Sequence, residues 1–149
     1  MSIDMKGAKP LFHRVSYFET DQMSIVHHSN YIRWMEDGRT DYMRQNGVDY
    51  AWMETQGVIM PVVSVSCEYK ESAFFDEIAE IRTQVAFFNG VRLKFEYEIL
   101  NEKGHVLVLG KSEHCFLDKE LRRPINLYRK LPECCEKTAR LIIKEEEQS

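Results

Sequence analysis

From Pro61 to Leu117 the chain puts an apolar residue at nearly every second position, and this stretch sets the class of fold. Val63, Val65, Cys67 and Tyr69 alternate with Ser64, Ser66, Glu68 and Lys70. After a second run, Ile78 to Phe88, the residues Val91, Leu93, Phe95, Tyr97 and Ile99 alternate with Arg92, Lys94, Glu96 and Glu98. A period of two marks strands with one face on a core and the other in water. Asn89-Gly90 predicts a two-residue hairpin turn, because this pair accepts positive backbone angles at low cost. Asn101 to Gly104 predicts a further turn, and His105 to Leu117 a last long strand. Strands joined by links this short pair antiparallel.

Upstream of Pro61 the period differs. Leu11, His13, Val15 and Tyr17 alternate with Phe12, Arg14, Ser16 and Phe18, which predicts a first strand with bulk on both sides. From Ser29 the spacing becomes helical: Tyr31, Trp34, Met35, Gly38 and Tyr42 share one face, while Arg33, Glu36, Asp37, Arg39 and Arg44 occupy much of the remainder. Ser29 or Asn30 suits the start and Gly47 the stop. A short second helix is expected over Tyr50 to Gln56, ending at Gly57. The chain closes with the loop Arg122-Arg123-Pro124 and a helix expected from Pro132 to Lys144. One strand, one long helix and four further strands make an α+β protein, an antiparallel sheet packed on a single helix. Alternating βαβ units are absent, which argues against a dinucleotide-binding fold.

The chain's 149 residues are expected to form one domain, 1–149, with a core that needs no disulfide or metal. Twenty basic against 24 acidic side chains give a net charge of -4, and the one block of like charge is the acidic tail Glu145-Glu146-Glu147. That balance argues against nucleic acid as a partner. No apolar run approaches the ~18 residues of a membrane span, and the first ten residues lack the apolar block of a secretory signal, so a cytoplasmic location is expected. Cys67, Cys115, Cys134 and Cys135 have no paired metal-ligand spacing and read as free thiols in a reducing compartment.

Between the first strand and the long helix lies Tyr17-Phe-Glu-Thr-Asp-Gln-Met-Ser-Ile-Val-His-His-Ser-Asn-Tyr31. Asp21 sits just beyond the strand and His28 seven residues later, where the helix begins. A helix start offers unpaired amide hydrogens and the positive end of a dipole, which stabilise an oxygen that becomes negative. A carboxylate beside it could attack an acyl carbon or take a proton from water, so acyl transfer is the chemistry indicated.

Tyr17-Phe-Glu-Thr-Asp21, Ile25-Val26-His27-His28-Ser29-Asn30-Tyr31 and Arg33-Trp34-Met35-Glu36 together resemble the signature of hot-dog-fold acyl-CoA thioesterases of the 4-hydroxybenzoyl-CoA thioesterase and YbgC-like group. The similarity runs from the first strand to about Leu131. The resemblance implies a five-stranded antiparallel sheet wrapped around one long central helix, and hydrolysis of an acyl-CoA to free acid and coenzyme A without a cofactor. It implies a catalytic Asp21, an amide near His28 that polarises the thioester carbonyl, and His28 and Tyr17 accompanying the aspartate. It also implies a homodimer or homotetramer with active sites at subunit boundaries. Where the family usually carries glycine before the Ile-Val pair, this chain has Ser24.

Each feature has a plainer reading. An aspartate near a helix start often serves only as a cap, and Tyr17 alternates with core positions, where a ring is commonly just buried. Several positions matching at once outweigh that reading for Asp21 and His28; His27 is left out. Arg92, Lys94, Arg122 and Arg123 are candidates for the phosphates of coenzyme A, with solvated surface charge as the alternative for each. An Asp-His pair without a third ligand gives no reason to expect a metal. The competing function is a noncatalytic module that binds acyl-CoA or acyl-carrier protein on the same fold.

Overall fold

The computed structural model describes residues 3–143. In chain order its elements are β1 (Leu11–Arg14), a 3-10 turn (Tyr17–Glu19), α1 (Ser29–Gln45), α2 (Tyr50–Thr55), β2 (Val58–Ile59), β3 (Val62–Tyr69), β4 (Ile78–Phe88), β5 (Arg92–Leu100), β6 (Val106–Cys115), β7 (Leu117–Asp118), α3 (Leu127–Lys130) and α4 (Pro132–Ala139). Five strands form one antiparallel sheet, as the alternation predicts, and the structure orders them β1-β4-β5-β6-β3. β2 and β7 form a separate two-stranded ribbon. The sequence reads residues 105 to 117 as one strand, but the sheet strand stops at Cys115 and Leu117 turns to pair with Ile59.

α1 lies against the sheet with the face its spacing predicts. Tyr31, Trp34, Met35, Gly38 and Tyr42 are all buried, together with Ala79, Ile81, Val85, Leu93, Phe95, Tyr97 and Ile99 from the inner side of the sheet. Two glycines set the distance between the layers. A Cβ on Gly38 would stand 2.6 Å from Ile81 Cγ2, and one on Gly110 would stand 2.6 Å from Met35 Sδ. Each bare Cα admits a neighbour that any side chain would push away.

The turns close by side-chain bonds. At the β4–β5 hairpin the Asn89 amide donates to the Arg92 carbonyl, and the Asn89 side chain accepts from the amides of Val91 and Arg92. Gly90 takes the positive angle, φ 88°, so Asn89 closes the turn as an acceptor and the two central residues are Gly90 and Val91. Gly47, at φ 82°, follows the last turn of α1, as expected.

Four expectations are corrected. The first strand ends at Arg14, because Ser16 and Glu19 form a capping box that winds Tyr17–Glu19 into a 3-10 turn. Tyr17 therefore leaves the core side and is 75% exposed. The apolar row of β3 is open to solvent: β3 is an edge strand, and Val62, Val63, Val65 and Tyr69 are all exposed. α4 ends at Ala139, after which Ile142 bridges to Val85. Lys144 and the acidic tail lie outside the described residues. The face of β5 predicted to be wet is partly covered, with Glu98 buried beside Arg82 Nη1 at 3.5 Å. All four cysteines are unpaired, and among the described residues no helix is long and apolar enough to cross a membrane.

Candidate active site

The segment from Thr20 to Val26 is a tight loop that carries Asp21 back toward α1. Thr20 and Val26 bridge antiparallel, the Asp21 amide donates to the Ile25 carbonyl at 2.8 Å, and the Ser24 amide donates to the Asp21 carbonyl at 3.0 Å. Ser24 turns the chain at φ 68°, the left-handed region that glycine occupies freely and serine only at a cost of about 1 kcal/mol. The loop thus keeps a glycine-type angle although the residue is serine.

Asp21 is exposed. Its Oδ1 accepts from the Met23 amide at 2.8 Å, while Oδ2 has no partner among the described residues. One carboxylate oxygen is anchored and the other accepts no hydrogen bond among the described residues.

α1 begins one residue later than His28, which occupies the N-cap position without a side-chain capping bond. The cap is supplied by His27, whose Nδ1 accepts from the Ser29 amide at 3.2 Å and whose carbonyl accepts from the Asn30 amide at 3.0 Å. Neither Ser29 nor Asn30 caps with its own side chain. Two of the early amides are therefore taken, whereas the His28 amide donates to no acceptor among the described residues. The His28 ring stacks on His27 at 4.2 Å and meets Tyr69 edge-on at 6.1 Å.

Asp21 and His28 line one concavity of about 240 Å³ with Ile25, Tyr31, Tyr69 and Lys70. Tyr31 fixes its wall: the hydroxyl accepts from the Ala73 amide at 3.0 Å, and burial raises its pKa above the usual tyrosine value. Tyr69 reaches the same wall from the edge strand, its ring 5.7 Å from that of Tyr31. Burial is also the first cause of the upward shift of Tyr69. The sequence gives no sign that Tyr69 and Lys70 join this site, because only the tertiary packing of β3 beside α1 brings Tyr69 to His28 and Tyr31.

Tyr17 is not part of this concavity; its ring packs edge-on against Phe75 at 5.5 Å. None of the four predicted phosphate-binding residues lines it either. Arg92 and Lys94 each lie 3.6 Å from a carboxylate oxygen of Glu113, and Lys94 also stands over the Phe87 ring. Arg122, at φ 57°, and Arg123 belong to a turn in which the Arg122 amide donates to the Asp118 carbonyl and the Asp118 amide to the Arg123 carbonyl.

A residue the sequence reading passed over holds the whole arrangement. Glu19 is buried, and its carboxylate accepts from the Ser16 amide at 2.8 Å, His13 Nε2 at 2.8 Å and Trp34 Nε1 at 2.7 Å. Its carbonyl accepts from the His27 amide and from Asn30 Nδ2. Burial alone would raise the Glu19 pKa, but the bonds from His13, Ser16 and Trp34 outweigh it and hold the pKa below the usual value. Glu19 thereby ties β1, the Asp21 loop and α1 into one unit. The Ser16-x-x-Glu19 spacing was the available signal.

This geometry, a free carboxylate oxygen and a free helix-start amide in one cavity, is suited to acyl chemistry, and comparison with known proteins places it. The thioesterase-like superfamily profile matches residues 15–137. The chain belongs to the thioesterase-like superfamily. The Bacillus subtilis protein YneP, which bears the name of an acyl-CoA thioesterase, is 39% identical over 80% of this chain and 86% of its own length. The acyl-CoA thioester hydrolase YbgC of Escherichia coli O157:H7 is 29% identical over 63% of this chain and 70% of its own. Among solved structures, a DHNA-CoA thioesterase from Staphylococcus aureus superimposes with a TM-score of 0.86 at 35% identity, covering 89% of each chain. The superfamily member described here has the hot-dog fold, with its sheet wrapped around α1.

Proposed function

We propose that this protein hydrolyses acyl-CoA thioesters to the free acid and coenzyme A, with Asp21 acting on a carbonyl group held at the start of α1. The observation that carries the reading is that the unpartnered Oδ2 of Asp21 and the unbonded amide of His28 belong to residues lining one cavity. The amide would donate to the carbonyl oxygen as it gains charge, an interaction stronger in the transition state than in the substrate.

Two routes follow from the same arrangement. As nucleophile, Asp21 bonds to the acyl carbon, the C–S bond breaks, the thiolate leaves, and water then opens the anhydride. As general base, Asp21 takes a proton from water while the water oxygen attacks the carbon and the thiolate departs. His28, beside the scissile bond in this reading, orients the thioester or passes a proton to the leaving sulfur. Tyr17, expected to accompany Asp21, is exposed against Phe75 and outside the cavity lining, so neither route assigns it a step.

Arg122 and Arg123 have no ion pair among the described residues and are stronger candidates for the coenzyme A phosphates than Arg92 and Lys94, which share Glu113. The open apolar row of β3 supports a homodimer in which two sheets join along this edge, and a further pairing of dimers would give a tetramer. Such joining would set the Asp21 cavity at a subunit boundary. The reading treats residues 1–149 as one domain acting in the cytoplasm.

Thiol release measured across a panel of aliphatic and aromatic acyl-CoA compounds tests the function. Turnover of at least one class is expected; stoichiometric binding with no thiol released from any would replace hydrolysis with the noncatalytic reading. Single turnover in isotope-labelled water separates the routes, because label enters Asp21 only if an anhydride forms.

A further inference from the structure

A second cavity, of about 340 Å³, opens between α1 and α2 and is lined by residues other than those of the Asp21 concavity. Its apolar wall is Met53, Val58 and Met60, and Arg39 and Tyr50 add two polar groups. Arg39 is 7% exposed, and no carboxylate lies within ion-pair distance of it among the described residues. The Tyr50 hydroxyl is buried and makes no hydrogen bond. Around Arg39 stand Tyr97, whose hydroxyl hydrogen-bonds with Arg39 and meets Ser112 Oγ at 2.5 Å, and the buried His114. Burial, and then the charge of Arg39, push the His114 pKa down to about 3, so the neighbourhood gains no second cation at ordinary pH. Glu36, Glu54 and Arg44 also border the cavity, all three exposed, where solvent screens them.

A buried guanidinium with no carboxylate in ion-pair contact and a buried hydroxyl with no acceptor are both costly to keep, and both are donors. We propose that the α1–α2 cavity binds a small organic carboxylate carrying a short apolar group, with the carboxylate accepting from Arg39 and Tyr50 and the apolar group resting on Met53, Val58 and Met60. One anion supplies both the missing ion-pair partner of Arg39 and the missing acceptor of Tyr50, because a carboxylate has two oxygens and guanidinium matches it in shape. The volume falls within the roughly 300–1,000 Å³ range of small-molecule sites. The ligand class is that of the acid released in the proposed hydrolysis, and on that reading the cavity makes the protein responsive to its own product.

Binding is measured without turnover, so its failure and the failure of the hydrolysis reading are separate results. Isothermal titration of the whole protein with hexanoate is expected to show saturable binding that hexanamide does not reproduce. Arg39→Met is expected to weaken it by about 10- to 100-fold, Arg39→Lys by less, and Tyr50→Phe by several-fold. Amide chemical-shift changes on adding hexanoate should centre on Ala51 and Met53. Should Arg39→Met fail to fold, Tyr50→Phe and the shift map on the unmodified protein decide the matter. No binding, equal binding of hexanamide, undiminished binding in a folded Arg39→Met, or shifts confined to Ile25 and Tyr69 would each overturn the proposal.

Discussion

Two buried residues set how stability follows pH. His114 is kept neutral, and its pKa of about 3 lies below the ordinary histidine value of 6.5, so protons bind the unfolded chain more readily. The stability this represents is whole above pH 6.5 and is lost as pH falls from there toward 3, by up to about 1.4 kcal/mol per unit. Denaturant midpoints taken between pH 6.5 and 5 should fall steadily for the natural chain and much less for His114→Gln. Glu19 has the same sign in a lower window, because its depressed pKa keeps stability above about 4.5 and gives it up below. Glu19→Gln removes charge-assisted bonds from His13, Ser16 and Trp34 and should cost roughly 2–3 kcal/mol by urea denaturation at pH 7. Because the same residue fixes the Asp21 loop, thiol release should fall in that variant while the far-ultraviolet dichroism stays.

Among the elements, α1 and its contact with β4 are the most sharply defined. Gly38→Ala would place a methyl group 2.6 Å from Ile81 Cγ2, costing about 1–3 kcal/mol of overpacking against about 1 kcal/mol gained in helix propensity. Calorimetry should therefore show a lower melting temperature, and an unchanged or higher one would mean that the layers part at little cost. The period of α1, the alternation of β4 and β5 and the turn glycines could all be read along the chain, because each is local. The break after Arg14 was legible as Ser16-x-x-Glu19, yet the alternation that runs on to Phe18 obscured it. The exposure of Val63 and Val65 was not legible, since alternation tells which face of a strand is apolar but not whether the strand lies at an edge. Tyr69 and Lys70 were missed at the site for a similar reason: the folded contact, which joins Tyr69 to His28 across 41 residues of chain, and not local spacing brings them there.

At the scale of the whole molecule, the open edge and the cavity beside it belong together. β3 carries Val62, Val63 and Val65 in solvent, a row that invites a second sheet and leads directly to Tyr69 in the wall of the Asp21 cavity. Val65→Lys should leave the subunit folded and reduce the sedimenting mass to that of one chain; a natural chain that already sediments as a monomer would contradict the joined-sheet assembly. The central claim is narrower and rests on Asp21 beside the His28 amide. Its most direct test is the single-turnover rate of thiol release from the preferred acyl-CoA by Asp21→Asn, with circular dichroism confirming the fold. The account predicts a fall of about 10²- to 10⁴-fold with an unchanged spectrum, and a rate equal to that of the natural chain would contradict it.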